Sequence, residues 1–305
     1  MRPAISVIFL TTLIGAGQGL FLALYACELL AALSSSTASN TTEFLVGGSI
    51  IVLLLSALGL IASFFHLGHP ERAWRAAAMW RTSWLSREVI VLPAFMGAVF
   101  AYGIAHWMHL GYTLLIGALA AVIAVALFIC TGMIYVAIKV LKEWSHPLTV
   151  INFALLGSAS GITLAAAYAS FMAPSLAAPL SQAAVALTVL ALMMRGASLL
   201  RNARLHPSTT LQTAIGIRHP HIVQKAQGAM GGSFNTREYF HGKSAAFIRV
   251  IVPTFLMLSF FVPLALVMFL PLLAFIVQYC GLLAERWYFF AEARHPQNLY
   301  YQGVS

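Results

Sequence analysis

Charge is scarce in this chain. Asp, Glu, Lys and Arg together make up 8% of its 305 residues, against roughly a quarter in an ordinary soluble domain. With 61% hydrophobic residues and a mean hydropathy of +0.88, a soluble globular domain is excluded and an integral membrane protein is indicated. A strand-like alternation of apolar and polar residues is also lacking, which excludes a membrane barrel and leaves helices, whose backbone groups are satisfied within each segment.

Cysteine is nearly absent. Cys27, Cys130 and Cys280 lie singly in separate apolar runs, without C-x-x-C or ferredoxin spacing, so they read as small hydrophobes and the chain is expected to hold no iron–sulfur cluster of its own. Histidine is missing from the middle of every apolar run. All ten, His66, His69, His106, His109, His146, His206, His219, His221, His241 and His295, stand at run ends or in connections, which argues against a transmembrane haem pair. Candidate carboxylates inside or bordering the runs are few: Glu28 near one end of the first, Glu88 entering the third and Glu285 near the end of the last. None falls at a run's centre, as a pump or solute transporter would need. A transporter remains the alternative from another functional class, but paired polar breaks in two halves are not seen.

What is present is a series of apolar runs of about 20 residues, each long enough to cross a hydrocarbon core of roughly 30 Å as helix. Eight are read: 5–33, 44–65, 89–106, 112–140, 148–173, 180–200, 246–269 and 270–290, the last two separated only around Pro271. The first far exceeds the 7–15 residue core of a signal peptide and reads as a retained helix. The expectation is one all-α, polytopic membrane domain over 1–305, with a long polar loop at 201–245.

Positive charge is lacking from one set of connections. The loops "SSSTASNTTE", "HWMHLG", "APSLAAP" and the turn at Pro271 contain no Lys or Arg, whereas all 17 basic residues fall on the other set. Basic excess marks the cytoplasmic face, so both termini and the 201–245 loop are expected there. A basic membrane face accounts for the net charge of +9 without nucleic acid, and can also dock a protein partner. Arg204, Arg218, Lys225, Arg237 and Lys243 in the loop are the candidates for such docking.

One stretch interrupts the apolar pattern: "HLGHPERAWRAAAMWRTSWLSRE", residues 66–88. His66 closes one run and Glu88 opens the next, which returns both side chains to the same membrane depth. An imidazole and a carboxylate at an apolar–polar boundary can hydrogen-bond the two oxygens of a quinone headgroup and exchange its protons. The alternative is an interfacial belt, with Trp74, Trp80 and Trp84 at the headgroups and the arginines on anionic lipid. Arg72 and Arg75 are candidates to steady a headgroup or a partner's acidic surface. Trp74 and Trp84 are candidates to stack on a quinone ring or to pack in the belt. Ser86 is a candidate for quinone contact or for the helix N-cap.

The same residues resemble a known family. "FFHLGHPERAWR" followed by "WLSRE" is similar to the signature of membrane anchor subunits of dimethyl sulfoxide reductase-type complexes, an H-L-G-x-P-x-R-A element followed by L-S-x-E. The matching residues are His66, Leu67, Gly68, Pro70, Arg72 and Ala73, then Leu85, Ser86 and Glu88. This resemblance implies a three-subunit enzyme of the bacterial inner membrane: a molybdopterin subunit does the substrate chemistry, a four-cluster iron–sulfur subunit carries electrons, and the anchor exchanges them with ubiquinone or menaquinone. It also implies that His66 and Glu88 belong to the quinone site. The segment "STTLQTAIGIRHPHIVQKAQGAMGGSFNTREYFHG" and the cytoplasmic orientation resemble instead the anchors grouped with quinone-linked sulfite dehydrogenase, which implies cytoplasmic oxidation of sulfite to sulfate. An anchor for reduction of dimethyl sulfoxide or another S- or N-oxide is the alternative.

The charge sorting makes a direct prediction. A topology reporter fused after Ser305 should be active only in its cytoplasmic form; activity of a periplasmic reporter there would overturn the orientation.

Overall fold

The computed structural model describes residues 4–33, 41–65, 67–205, 212–213, 216–221 and 245–293. Among these there is no strand. Six long helices follow one another: α1 (Ile5–Leu33), α2 (Thr41–Phe64), α3 (Trp84–Trp107), α4 (Thr113–Val136), α5 (Pro147–Met172) and α6 (Pro174–Ala203). Beyond the long loop, α7 (Ala245–Leu256) runs through a π-helical turn (Met257–Phe261) into α8 (Val262–Leu266), and α9 (Pro271–Glu292) completes the bundle. Among the described residues, seven segments are long and apolar enough to cross a membrane, the seventh being Arg249–Leu266. At about 1.5 Å per residue even the shorter ones match a hydrocarbon core.

Helix boundaries follow local chemistry. Proline stands at the first helical positions of α5, α6 and α9, where its missing N–H is not needed. At the start of α5, the His146 imidazole accepts from the Leu148 amide (3.2 Å). Burial and then the Arg201 charge hold this imidazole below its ordinary range, which favours the neutral, accepting form. Two sequence expectations need correcting at α3. The helix begins at Trp84, so Glu88 lies a full turn inside it, and the N-cap is Ser83, whose extended backbone lets its hydroxyl accept from the Ser86 amide (3.4 Å). Ser86 is therefore a buried first-turn residue and not the cap.

In the second half, Pro263 has no N–H to offer the carbonyl four residues earlier. That carbonyl, on Ser259, accepts instead from the Gln278 side chain of α9 (3.3 Å), which also reaches Thr188 of α6 (3.2 Å). The break is thus closed by a neighbouring helix, as lipid requires.

Packing is inside-out relative to a soluble protein. Large residues such as Leu54, Leu115, Val122 and Met193 point outward, as a lipid-facing surface allows. The interior between α1 and α5 is instead lined by small residues. A β-carbon on Gly161 would fall on the backbone of Gly19 and Leu20, and one on Gly19 would fall on the Gly157 carbonyl. Such close crossing is how helices gain contact where no hydrophobic drive separates them from lipid. At one end of the bundle, Tyr135, Trp144, Phe153, Phe289 and Phe290 pack edge and face with Ile8, joining α1, the α4–α5 turn and α9.

The crossing yields a prediction. Gly161→Ala should destabilise the bundle by about 1–3 kcal/mol, the usual cost of overpacking, seen as a lower thermal midpoint in detergent. An unchanged midpoint would show that the two backbones can separate freely.

Candidate functional site

Between α2 and α3 the chain forms a 3-10 segment, Pro70–Met79. It is exposed: Glu71 lies between His69 (3.0 Å) and Arg72 (3.6 Å) at the surface, and Arg75 lies by the Trp74 ring. Arg87 fastens the segment to α3 by donating to the carbonyls of Trp80 and Arg81 (both 2.9 Å) while lying over the Trp84 ring (4.2 Å). Arg72, Trp74 and Arg75 are therefore displayed at the surface, Trp84 is half-buried, and Ser86 is buried. His66 lies outside the described residues, as do Lys225, Arg237 and Lys243. Arg204 and Arg218 are both exposed.

Glu88 turns the other way, into the bundle. Its carboxylate accepts a hydrogen bond from Thr131 of α4. It borders a chamber of about 10 Å³ shared with Thr11, Gly15 and Gln18 of α1 and Phe153 of α5, about the room one water needs. Gln18 is fixed there by donation to the Ala124 carbonyl (2.8 Å). The arrangement is a half-buried carboxyl group with a hydroxyl partner and an adjoining polar space. It can hold or pass one proton to an oxygen atom that reaches it. The chamber itself has room for a water and not for an aromatic ring.

Two further polar clusters lie inside the bundle, and the sequence marks only their glutamates. Glu28, at the far end of α1, accepts from Tyr102 (2.7 Å) and Thr113 (2.6 Å) and pairs with His106 (3.2 Å), tying α1, α3 and α4 together. At the opposite end, Glu285 of α9 lies 2.7 Å from the Arg195 Nε and 3.3 Å from Arg286. Arg195 also approaches Glu292 (3.9 Å), which accepts from Asn202 (3.1 Å). Sequence position groups Arg195 with the basic loop region, yet it stands within α6 and is 2% exposed, because a carboxylate on α9 faces it. The one signal in the sequence is that Arg195 falls inside the run read as apolar at 180–200. Among the described residues no group of three or more His, Cys, Asp or Glu could hold a metal ion.

Comparison with known proteins gives the chain a family. Residues 1–291 match the family described as DMSO reductase anchor subunit (DmsC). A sulfite dehydrogenase subunit of Allochromatium vinosum is 54% identical over 326 aligned positions, covering 100% of both chains. No solved structure matches. The chain belongs to the DMSO reductase anchor subunit family and, with its seven apolar helices, is a multi-pass membrane protein.

Proposed function

From that membership, we propose that this chain anchors a three-subunit molybdenum oxidoreductase in the bacterial cytoplasmic membrane and passes electrons between its iron–sulfur subunit and quinone. Sulfite is the proposed donor, on the strength of the full-length similarity to a sulfite dehydrogenase subunit. The family's own description favours a second reading, an anchor through which quinol reduces dimethyl sulfoxide or a related oxide.

The observation that carries the proposal is the inward carboxyl group of Glu88, set one turn into α3 beside Thr131 and a polar chamber. Quinone reduction consumes two electrons and two protons. The partner subunits, with molybdopterin and iron–sulfur clusters, would supply the electrons. Glu88 and His66 would supply hydrogen bonds and protons to the two quinone oxygens. With no histidine inside the apolar runs to hold haem and no cluster-spaced cysteines in the sequence, the proposed route brings quinone to the side where the iron–sulfur subunit docks. Exposed Arg204 and Arg218, with Lys225, Arg237 and Lys243 of the same loop, are the proposed docking charges. Arg72 and Arg75, exposed on the Pro70–Met79 segment, are proposed to steady the headgroup or the partner's acidic surface, while Trp74 and Trp84 stand at the proposed membrane interface.

The proposed topology has eight spans with both termini in the cytoplasm. The eighth is α9, 22 residues long. Its lower hydropathy comes from Gln278, Glu285 and Arg286, which are all buried inside the protein and so carry no cost of exposure to lipid.

The test is electron transfer in the purified complex. His66→Ala and Glu88→Gln should each reduce sulfite-driven quinone turnover by roughly a hundredfold, the usual weight of a proton-transferring group. Assembly and sulfite turnover with a soluble dye should stay unchanged. Full quinone turnover in both variants would contradict the site.

A further inference from the structure

Two water-sized polar spaces lie in the same end of the bundle. One borders Glu88. The other, also about 10 Å³, lies among Glu143, Asn152, Arg195, Asn202, Glu285 and Arg286. Asn152 is buried, and its amide nitrogen donates to Ser198 (2.7 Å), yet its carbonyl oxygen has no hydrogen-bond partner. An unsatisfied oxygen facing a polar space of that size calls for a water. At its outer edge the space reaches Glu143 and Asn202, both partly exposed, and Asn202 holds Glu292, whose side chain is 14% exposed.

Two rings in contact line the two spaces, Phe153 the first and Phe289 the second, with centroids 5.5 Å apart. The Arg286 guanidinium lies 3.7 Å from the centroid of the Phe153 ring, and Phe153 also lines the Glu88 chamber. Tyr135 stacks on Phe153, with centroids 5.3 Å apart and planes at 15°. It also meets the Phe289 ring, which lines the second space, edge to face with centroids 5.4 Å apart. Tyr135 is thus the hydroxyl-bearing member of an aromatic group whose rings border both spaces.

We infer that this column, from Glu292 and Asn202 through Glu285 and the Asn152 water site to Tyr135 and Glu88, is the proton inlet of the quinone site. The inference rests on the proposed quinone reaction at Glu88. Each quinone reduced takes two electrons from the partner subunit and two protons from the aqueous phase at the basic face. Glu88 gives its proton to a quinone oxygen and is reprotonated from inside the bundle. The two guanidinium groups do not release protons; they balance the carboxylates, so that Glu285 and Glu292 can persist in an apolar surround. Packing alone does not call for such a cluster, since hydrophobic residues of similar volume usually serve as well. Buried ionisable groups within a membrane domain are characteristic of proton relays.

The experiment uses the intact complex in liposomes, with ubiquinone as acceptor and turnover measured in H2O and D2O. Tyr135→Phe keeps the ring and its packing and removes only the hydroxyl. Glu292→Gln keeps the shape at the rim and removes the proton-carrying group, and Glu292→Asp should restore it. For Tyr135→Phe and Glu292→Gln, quinone turnover should fall roughly tenfold or more and the solvent isotope effect should grow, with dye turnover unchanged. Wild-type quinone turnover and an unchanged isotope effect in Tyr135→Phe would overturn the inlet, and that variant decides alone if Glu292→Gln does not assemble. Failure of the underlying reading is separate: a wild-type complex that does not reduce quinone, or a Glu88→Gln complex that reduces it at full rate, would remove the site itself.

Discussion

The close crossing of α1 and α5 is the contact on which the other arrangements depend. Gly15 and Gly19 on α1 meet Gly157 and Gly161 on α5, with backbone against backbone. That proximity puts Thr11 and Gln18 beside Glu88 on one flank of α1. On α5 it sets Phe153 against the Glu88 chamber while its neighbour Asn152 faces the space beside Arg195 and Glu285. Bulkier residues at the crossing would separate the helices that build both spaces.

Hydrocarbon imposes a second constraint, because polar groups that cannot reach water must find partners within the bundle. Among the described residues, three of the clusters that do so are built on glutamates: Glu28 with Tyr102, Thr113 and His106; Glu88 with Thr131; and Glu285 with Arg195 and Arg286. The Glu28 cluster is saturated, with both carboxylate oxygens engaged, and reads as a clasp between helices. The other two adjoin open polar space, and there proton exchange can be coupled to a reaction. In the proposed account the exposed basic segment between α2 and α3 faces the partner, while Glu88, only nine residues beyond its end, faces the interior.

Much of the fold was legible in the sequence because run length and proline placement act locally. The first helix has the bounds read for it, and Pro147 and Pro271 stand within one residue of the starts read at 148 and 270, whereas α6 begins at Pro174, inside the stretch "APSLAAP" read as a connection. The family was legible in the two short elements around His66 and Glu88. What escaped was pairing at a distance. Arg195 and Glu285 lie 90 residues apart in the chain, and Glu28 lies 74 from Tyr102, so no periodicity within either segment announces the contact. An arginine at the end of an apolar run resembles a loop residue until the helix that neutralises it is known. Ser83 escaped as a cap for a related reason: the polar turn before Trp84 offers several candidates, and only backbone conformation chooses among them.

The central proposal is that the chain is the membrane partner of a molybdenum and iron–sulfur enzyme. The most direct measurement is the metal content of the complex that co-purifies with the tagged chain from its own membranes after mild detergent extraction. The account predicts molybdenum with iron in clear excess over it. A homogeneous preparation containing neither metal would contradict it.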